Sequence, residues 1–252
     1  SSAASDVYKR QEGVCITDHM DLDFPETPDF PANAFQFDLD EYFGQLNRLK
    51  EQYKGKLDLR IGVEIGLQKH LGEAYHRLTE AYPFDFVIGS VHLVGGQDPY
   101  YRKIFEGRTD EEVYRMAFRE TLENVEAVKD FDTLGHLDYV VRYGIHQAAE
   151  YSYRKFSDEI DAVLKKLIAE GKGLEMNLAG IKYGLGFPNP HPDVLKRYRE
   201  LGGEIITIGA DAHEPAHVAY EFEKATEILR ECGFSYYAEF HGRKPVFQRI
   251  VP

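Results

Sequence analysis

Short apolar runs alternate with longer amphipathic stretches along the whole chain. Near-continuous apolar runs are typical of strands that are buried on both faces. They predict strands at VCIT (14–17), LDLRIGVE (57–64), FDFVIGSVH (84–92), DTLGHL (132–137), GLEMN (173–177) and EIITIGA (204–210). The amphipathic stretches predict helices over residues 38–54, 69–81, 109–130, 154–170, 191–202 and 217–232. Strands and helices that alternate at this spacing indicate βαβ units and a parallel sheet.

The two ends of the chain depart from this alternation. YYAEF (236–240) and PVFQRI (245–250) predict an antiparallel hairpin that closes the structure. The first 11 residues, SSAASDVYKRQ, show no periodicity and run directly into the first predicted strand. We therefore expect a non-native or disordered leader over residues 1–11 and a single barrel domain over residues 12–252. Six predicted parallel strands are too few for a closed barrel, so a first strand is expected to be missing or replaced.

The composition narrows the classes of partner. A net charge of −13 at pH 7 argues against nucleic acid, because nucleic-acid binding requires a basic face. No apolar run reaches the length of a membrane span. Cys15 and Cys232 lie far apart in the sequence, which indicates neither a disulfide framework nor a cysteine zinc site and fits a reducing, cytoplasmic compartment. We expect a small-molecule substrate, and no pattern indicates a particular oligomeric state.

Acidic, amide or histidine side chains lie at or just after the carboxyl end of every one of the six predicted parallel strands. In chain order they are Asp18 and His19, Glu64, His92, His136 and Asp138, Glu175 and Asn177, and Asp211 and His213. Taken singly, a strand-terminal aspartate is often a helix cap, and a lone histidine is often a hydrogen-bonded filler. The carboxyl ends of parallel barrel strands converge at one rim, however. Six such coincidences at one rim favour a shared site.

The donor types at this rim indicate a metal centre. Imidazole and carboxylate groups without thiolates suit Zn, Mn or Fe. Glu64 lies between Val63 and Ile65, where an unpaired carboxylate would be costly to bury, and it could bridge two metal ions. A cluster of divalent ions acidifies bound water and stabilises an in-line displacement at phosphorus. The pattern therefore predicts a metal-dependent hydrolase of phosphoesters.

The segments ITDHMD, GVEIG, GSVH, GHLDY and GADAH resemble, in order, the later motifs of the PHP (polymerase and histidinol phosphatase) superfamily. TDHMDLDFPETP, FDFVIGSVHLVGGQDPYY and IKYGLGFPNPHPDVLKRYRELGG are similar to its histidinol-phosphatase branch. The resemblance implies an α/β fold, a distorted seven-stranded (β/α) barrel with a TIM-like arrangement. It also implies up to three divalent metals, which would be Zn, Fe or Mn, in the open mouth of that barrel.

The resemblance also implies a ligand for each metal. Glu64 would bridge two metals, with His92 and His136 completing one of them. Asp211 would belong to the other, while His19 and His213 would bind the third. The superfamily's first motif, a His-x-His pair followed by a third histidine, has no counterpart in SSAASDVYKRQ. By this comparison only the metal held by Glu64, His92 and His136 keeps a full set of protein ligands.

Further side chains are candidates for substrate binding and for support of the ligands. Arg142, Tyr101 and Lys182 follow metal-bearing strands and could bind phosphate, although loop cations are often merely solvated. Asp21, Asp23 or Glu26 could hold the cationic end of a substrate. Asp138 could orient His136 or donate a proton, and this makes it a catalytic candidate together with Glu64 and Asp211. The remaining acidic and amide residues at the strand ends are predicted to orient the metal ligands by hydrogen bonds without binding metal themselves; they are Asp18, Glu175 and Asn177.

The function predicted from the sequence is hydrolysis of histidinol phosphate to histidinol and phosphate, a step of histidine biosynthesis. The resemblance implies that a metal-held hydroxide attacks phosphorus. Two alternatives stay open at this point. One is a related hydrolase that acts on another phosphoester, such as a nucleotide, and the other is a truncated or catalytically impaired barrel that acts only as a binding domain.

Overall fold

The computed structural model describes residues 12–250, so the leader predicted over residues 1–11 lies outside the described range. Within that range seven parallel strands form one sheet. They are β1 (Gly13–Ile16), β2 (His19–Met20), β3 (Asp58–Gly66), β4 (Phe86–Ser90), β5 (Thr133–Leu134), β6 (Gly173–Asn177) and β7 (Ile206–Gly209). Both β1 and β2 pair with β3, and the sheet then runs in chain order to β7. In the part of the chain described, no pairing links β7 to β1, so the sheet is an open, curled barrel.

The helices cover the outer face of the sheet. They are α1 (Leu39–Gln52), α2 (Gly72–Ala81), α3 (Asp110–Ala127), α4 (Ser157–Ala169), α5 (Ala179–Lys182), α6 (Pro192–Glu200) and α7 (Phe222–Glu231). Short 3₁₀ helices occupy Lys69–Leu71, Pro99–Tyr101, Lys103–Phe105, Tyr139–Tyr143, Gln147–Glu150, Tyr153–Phe156 and Pro215–His217. Among residues 12–250, no helix is both long enough and apolar enough to cross a membrane.

Two buried tyrosines tie the helices to the strands that carry the first site residues. The Tyr75 hydroxyl of α2 lies 2.8 Å from the carbonyl oxygen of Gly66 and 3.1 Å from that of Met20. The Tyr42 hydroxyl of α1 lies 2.9 Å from the Gly62 carbonyl oxygen. A phenol buried in a core requires such partners, and each of these bonds therefore fixes a helix against a strand end. The polypeptide around β2 and the end of β3 is thereby held in place.

The C-terminal hairpin is formed by β8 (Tyr236–His241) and β9 (Lys244–Arg249). Phe240 stacks on Phe86 with ring centroids 4.8 Å apart, and Ala238 joins the same small apolar cluster. At the turn, Arg243 binds the Asp132 carboxylate, which lies just before β5. The hairpin therefore covers the amino-terminal end of the sheet and leaves the opposite rim free for a site.

The predicted α/β barrel of the PHP type and its closing hairpin are confirmed, with several changes in the bounds. The strand predicted over 132–137 is only Thr133–Leu134, because the chain then turns and the His136 amide donates to the Glu175 side chain. The helix predicted over 217–232 begins at Phe222. Helix α5 was not predicted at all, since four residues are too few to show a helical period.

Candidate metal centre

Glu64 lies at the middle of the strand-end cluster and is buried on β3. Its Oε1 atom is 3.2 Å from Nε2 of His92 and 3.1 Å from Nε2 of His136. Both histidines are also buried. Parallel pairing explains the convergence, because the register places His19 of β2 and Ile88 of β4 on either side of Glu64. The residues after β4 and β5 then reach the same rim.

Electrostatics keep this carboxylate charged in spite of its burial. Burial alone raises the pKa of Glu64, but His19, His136 and His92 lower it by more, so that the pKa lies well below its usual value. The reverse holds for His92: burial lowers its pKa, while Asp21 and Glu64 together raise it well above the usual value. The cluster therefore attracts positive charge to the rim.

His19 connects the Glu64 group to a second group of ligands. Donor atoms of His19, Glu64 and His92 all lie within 4.8 Å of one another, and so do those of His19, Asp211 and His213. The His19 ring is 5.5 Å from the His213 ring between centroids. Asp211 adopts a left-handed backbone conformation with φ of 49°, which is uncommon for a residue other than glycine and often marks a functional position.

Unsatisfied imidazole nitrogens indicate that these residues fit a metal. Within residues 12–250, Nδ1 of His19 and Nδ1 of His136 are buried without a hydrogen-bond partner. For His19 the nearest carboxylate oxygens, on Glu64 and Asp21, are 3.7 and 3.8 Å away, which is too far for a hydrogen bond. The donors gathered here are imidazole nitrogens and carboxylate oxygens without a thiolate, and this is a donor set that suits Zn, Mn or Fe.

Asp21 contacts the ring nitrogen of His92 that faces away from Glu64, a role that the sequence did not suggest. It is 4% exposed, and its Oδ1 lies 3.0 Å from Nδ1 of His92. A carboxylate on Nδ1 directs the other nitrogen, Nε2, toward the centre. A contact of Asp21 with a cationic substrate end stays a prediction, and it would compete with this bond to His92. Asp23 instead contacts His70 at 3.0 Å, and Glu26 is exposed.

Glu175 supports His136 in a comparable way, through the backbone. Its Oε2 accepts hydrogen bonds from the His136 amide and from the Asn177 side chain, each at 3.1 Å. Burial raises the pKa of Glu175 to about 7. Asn177 in turn accepts a hydrogen bond from the Ala179 amide at the start of α5. The carboxyl group has room only because Gly209 has no side chain: a Cβ there would lie 2.0 Å from Oε1 of Glu175.

Arg142 is buried beside the cluster, with its side chain 5% exposed. Its Nη1 is 3.5 Å from Oδ2 of Asp211, and its guanidinium carbon lies 5.1 Å from the Tyr139 ring centroid and 4.7 Å from that of Tyr183. Lys182 lies next to it and donates to the Asp211 carbonyl oxygen at 3.0 Å. Two cations therefore stand on the Asp211 side of the centre, where an anion would be attracted.

Three other predicted site residues form no side-chain hydrogen bond to the ligand cluster in the part of the chain described. Both oxygens of Asp138 are engaged, one with the Asn189 side chain and one with the His191 amide, and neither bonds to His136. The Tyr101 hydroxyl joins the loop after β2, where it contacts Thr27 at 3.1 Å and Asp29 at 2.9 Å. Asp18 is exposed, and its contact with the site is through its carbonyl oxygen, which accepts from the Glu64 amide.

Comparison with known protein families identifies the family to which the chain belongs. The PHP domain profile matches residues 6–179. The chain belongs to the PHP domain family. This confirms the resemblance on which the sequence interpretation depended. The roles of individual residues as ligands stay predictions, and the structure brings six of them to one rim of this PHP domain; they are His19, Glu64, His92, His136, Asp211 and His213.

Related PHP domain proteins are histidinol-phosphatases. The chain is 32% identical to a probable histidinol-phosphatase of Clostridium acetobutylicum over 95% of this chain and 86% of that one. It is 31% identical to the histidinol-phosphatase of Lactococcus lactis subsp. lactis over 92% of this chain and 84% of that one. The crystal structure of histidinol phosphate phosphatase from Lactococcus lactis subsp. lactis, in complex with zinc, L-histidinol and phosphate, superposes with a TM-score of 0.83 at 28% identity. That match covers 97% of this chain and 91% of the other.

We expect the substitution Asp21→Asn to weaken metal binding about 10- to 100-fold, the range for loss of a carboxylate that orients a histidine ligand. The amide keeps the shape of the side chain but removes the charge that holds a proton on Nδ1 of His92. Metal affinity measured by competition with a chromogenic chelator checks this. Asp23→Asn is the matched control, since that exposed carboxylate contacts His70. Equal affinities of the Asp21→Asn variant and the parent protein would contradict the assignment.

Gly209→Ala is expected to lower the free energy of unfolding by about 1–3 kcal/mol, the usual cost of forcing an extra methyl group against a buried side chain, here that of Glu175. The added methyl group would displace the Glu175 carboxyl, which holds the His136 amide, so phosphatase activity is expected to fall as well. Urea unfolding measures the first effect. Gly44→Ala on α1 is the control, because its nearest neighbour would be 3.6 Å away and no loss is expected.

Proposed function

We propose that this PHP domain protein is a metal-dependent phosphomonoesterase that hydrolyses histidinol phosphate to histidinol and phosphate. The observation that carries the proposal is the buried cluster of Glu64, His92 and His136 beside the buried cation Arg142. The relatives named above support the substrate. A phosphate ester is an anion, and Arg142 and Lys182 supply positive charge next to the ligand cluster.

Two groups of residues would hold divalent metals. His19, Glu64 and His92 form one group with metal-ligand spacing, and His19, Asp211 and His213 form a second, more exposed one. His136 joins the first group through its contact with Glu64. Bound ions lower the pKa of water and stabilise the charge that develops on phosphoryl oxygens. Zinc is the metal we propose first, since the Lactococcus lactis structure contains it, and the same donors accept Fe or Mn. A complete centre would hold up to three ions.

The other steps depend on the chain's own residues. The guanidinium of Arg142 binds and orients the phosphate, because the neighbouring rings of Tyr139 and Tyr183 and the Asp211 carboxylate restrict its position. Asp21 and the backbone contact of Glu175 hold His92 and His136 in place. We assign no proton transfer to Asp138, since both of its oxygens are engaged with Asn189 and His191.

The test is phosphate release from a panel of esters by the metal-loaded protein: L-histidinol phosphate, O-phosphoserine, glycerol phosphate, a nucleoside monophosphate and p-nitrophenyl phosphate. We expect kcat/KM for L-histidinol phosphate to exceed that for the other biological esters by at least about 100-fold, the discrimination available to a site with matched polar contacts. Equal rates across the panel would contradict the substrate. No release from any ester would contradict the enzymatic function and favour a binding domain.

A further inference from the structure

A row of buried polar side chains runs from Arg142 away from the metal cluster. Nε of Arg142 donates to Oδ1 of Asn189 at 3.1 Å, and Nδ2 of Asn189 donates to Oδ1 of Asp138. Asn189 and Asp138 are both completely buried. We propose that Asn189 and Asp138 are positioning residues that fix the Arg142 guanidinium so that its Nη2 faces the phosphate of the substrate. This inference rests on the proposed function, which it deepens by naming how the phosphate subsite is held.

The contacts of Arg142 leave one guanidinium nitrogen, Nη2, available for a ligand. Nε donates to Asn189, Nη1 is directed to Asp211, and the guanidinium carbon lies over the rings of Tyr139 and Tyr183. Within the described part of the chain, Nη2 is buried and has no hydrogen-bond partner. A buried guanidinium N–H without an acceptor is costly, so it indicates that an acceptor is supplied by a ligand. A phosphate oxygen next to the metal cluster is such an acceptor.

Asp138 determines which way the Asn189 amide faces. One Asp138 oxygen accepts from the His191 amide at 2.8 Å, and the other faces Asn189. Since both oxygens of Asp138 act as acceptors, Asn189 must present its NH₂ group to Asp138 and its oxygen to Arg142. The opposite orientation would place two donors against each other at Arg142. The Asp138 carboxylate therefore sets the position of the Arg142 guanidinium through the side-chain amide of Asn189.

The backbone around Asn189 is also fixed. Its amide and carbonyl groups exchange hydrogen bonds with those of Asn177 at the end of β6, at 2.8 and 2.7 Å. Gly180 on α5 makes room for its side chain, because a Cβ at that position would lie 2.8 Å from Oδ1 of Asn189. Asn189 is therefore attached directly to the sheet that carries the metal cluster. A positioning residue needs this kind of rigid support.

The closing experiment measures binding of the two product molecules separately. Dissociation constants of inorganic phosphate and of L-histidinol are determined by calorimetry on the metal-loaded protein and its variants. Asp138→Asn is expected to raise the phosphate constant about tenfold, the usual effect of one mispaired buried hydrogen bond, with the L-histidinol constant and the metal content unchanged. The new amide must offer its oxygen to the His191 amide, so its NH₂ group turns Asn189 the wrong way.

The reciprocal double variant Asp138→Asn/Asn189→Asp should restore phosphate affinity to within about threefold of the parent protein. In it the NH₂ group at position 138 donates to a carboxylate at position 189, which again accepts from Arg142. Asn124→Leu is the control for general damage in the core. The buried Asn124 side-chain amide donates to the Leu67 carbonyl oxygen, away from the cluster. Its loss should not change the dissociation constant of phosphate.

Parallel loss of phosphate and L-histidinol affinity in Asp138→Asn would overturn the proposal, because it indicates general collapse of the site. Unchanged phosphate affinity, or no recovery in the double variant, would overturn it as well. These binding measurements do not need turnover. The parent protein and its variants could show the expected ranking of phosphate affinities while the parent protein releases no phosphate from L-histidinol phosphate. That result would contradict the proposed function and still support the positioning role.

Discussion

Glu64→Gln should reduce phosphate release by at least about 10²- to 10³-fold, the range for loss of one preorganised electrostatic group. The reason is that a single oxygen, Oε1, faces Nε2 of both His92 and His136. An amide carries no charge to balance a metal ion, and an NH₂ group replaces its second carboxylate oxygen, so it is a much poorer metal ligand. We expect the variant to lose metal from the group that contains Glu64 at the same time, which elemental analysis after gel filtration measures.

The control for this experiment is Glu159→Gln. Glu159 is a partly buried carboxylate on α4 that binds Arg115 and Arg119, so it tests the loss of an acidic side chain away from the rim. Its activity and metal content should match those of the parent protein. Full metal content in the Glu64→Gln variant would count against Glu64 as a ligand, even if activity were lost.

Arg142→Ala is expected to lower kcat/KM by about 100-fold, mainly through a higher KM. The guanidinium carries the donor Nη2 and the positive charge that face the proposed phosphate position. Its loss should affect the bound ester and the transition state alike, which is why KM should change more than kcat. Initial rates with L-histidinol phosphate at saturating metal measure both constants.

Arg115→Ala provides a matched comparison for this second prediction. Arg115 also lies over an aromatic ring, that of Phe156, and pairs with two carboxylates, but it joins α3 to α4 away from the metal cluster. Its removal should leave KM unchanged. If Arg142→Ala has the same KM as the parent protein, Arg142 does not bind the phosphate. Positioning of Arg142 by Asn189 would then not affect substrate binding.

The sequence predicted the fold and the location of the site because both depend on simple periodic features. Apolar runs followed by helices specify parallel strands, and parallel strands bring their carboxyl ends together. The sequence alone therefore assigns Glu64, His92 and His136 to one rim. The same argument brought in His19, Asp211 and His213, and their donor atoms do lie in one group.

The supporting residues could not be predicted in the same way, because their roles depend on side-chain directions across the fold. Asp21 lies in the same acidic segment as Asp23 and Glu26, and the sequence alone does not show that its carboxylate turns inward to His92. Asp138 follows His136 closely in sequence but bonds to Asn189 instead, 51 residues further along the chain. Tyr101 was predicted to bind phosphate, yet its hydroxyl contacts Thr27 and Asp29.

The most direct test of the central claim, a metal-dependent hydrolysis of histidinol phosphate, is a metal titration of the stripped protein. Zinc is removed with a chelator and added back stepwise, while bound zinc and phosphate release from L-histidinol phosphate are measured on the same samples. We predict that the stripped protein is inactive, that activity rises in proportion to zinc bound at the cluster, and that Glu64→Gln shows neither change. Phosphate release that is the same with and without bound metal would contradict the account.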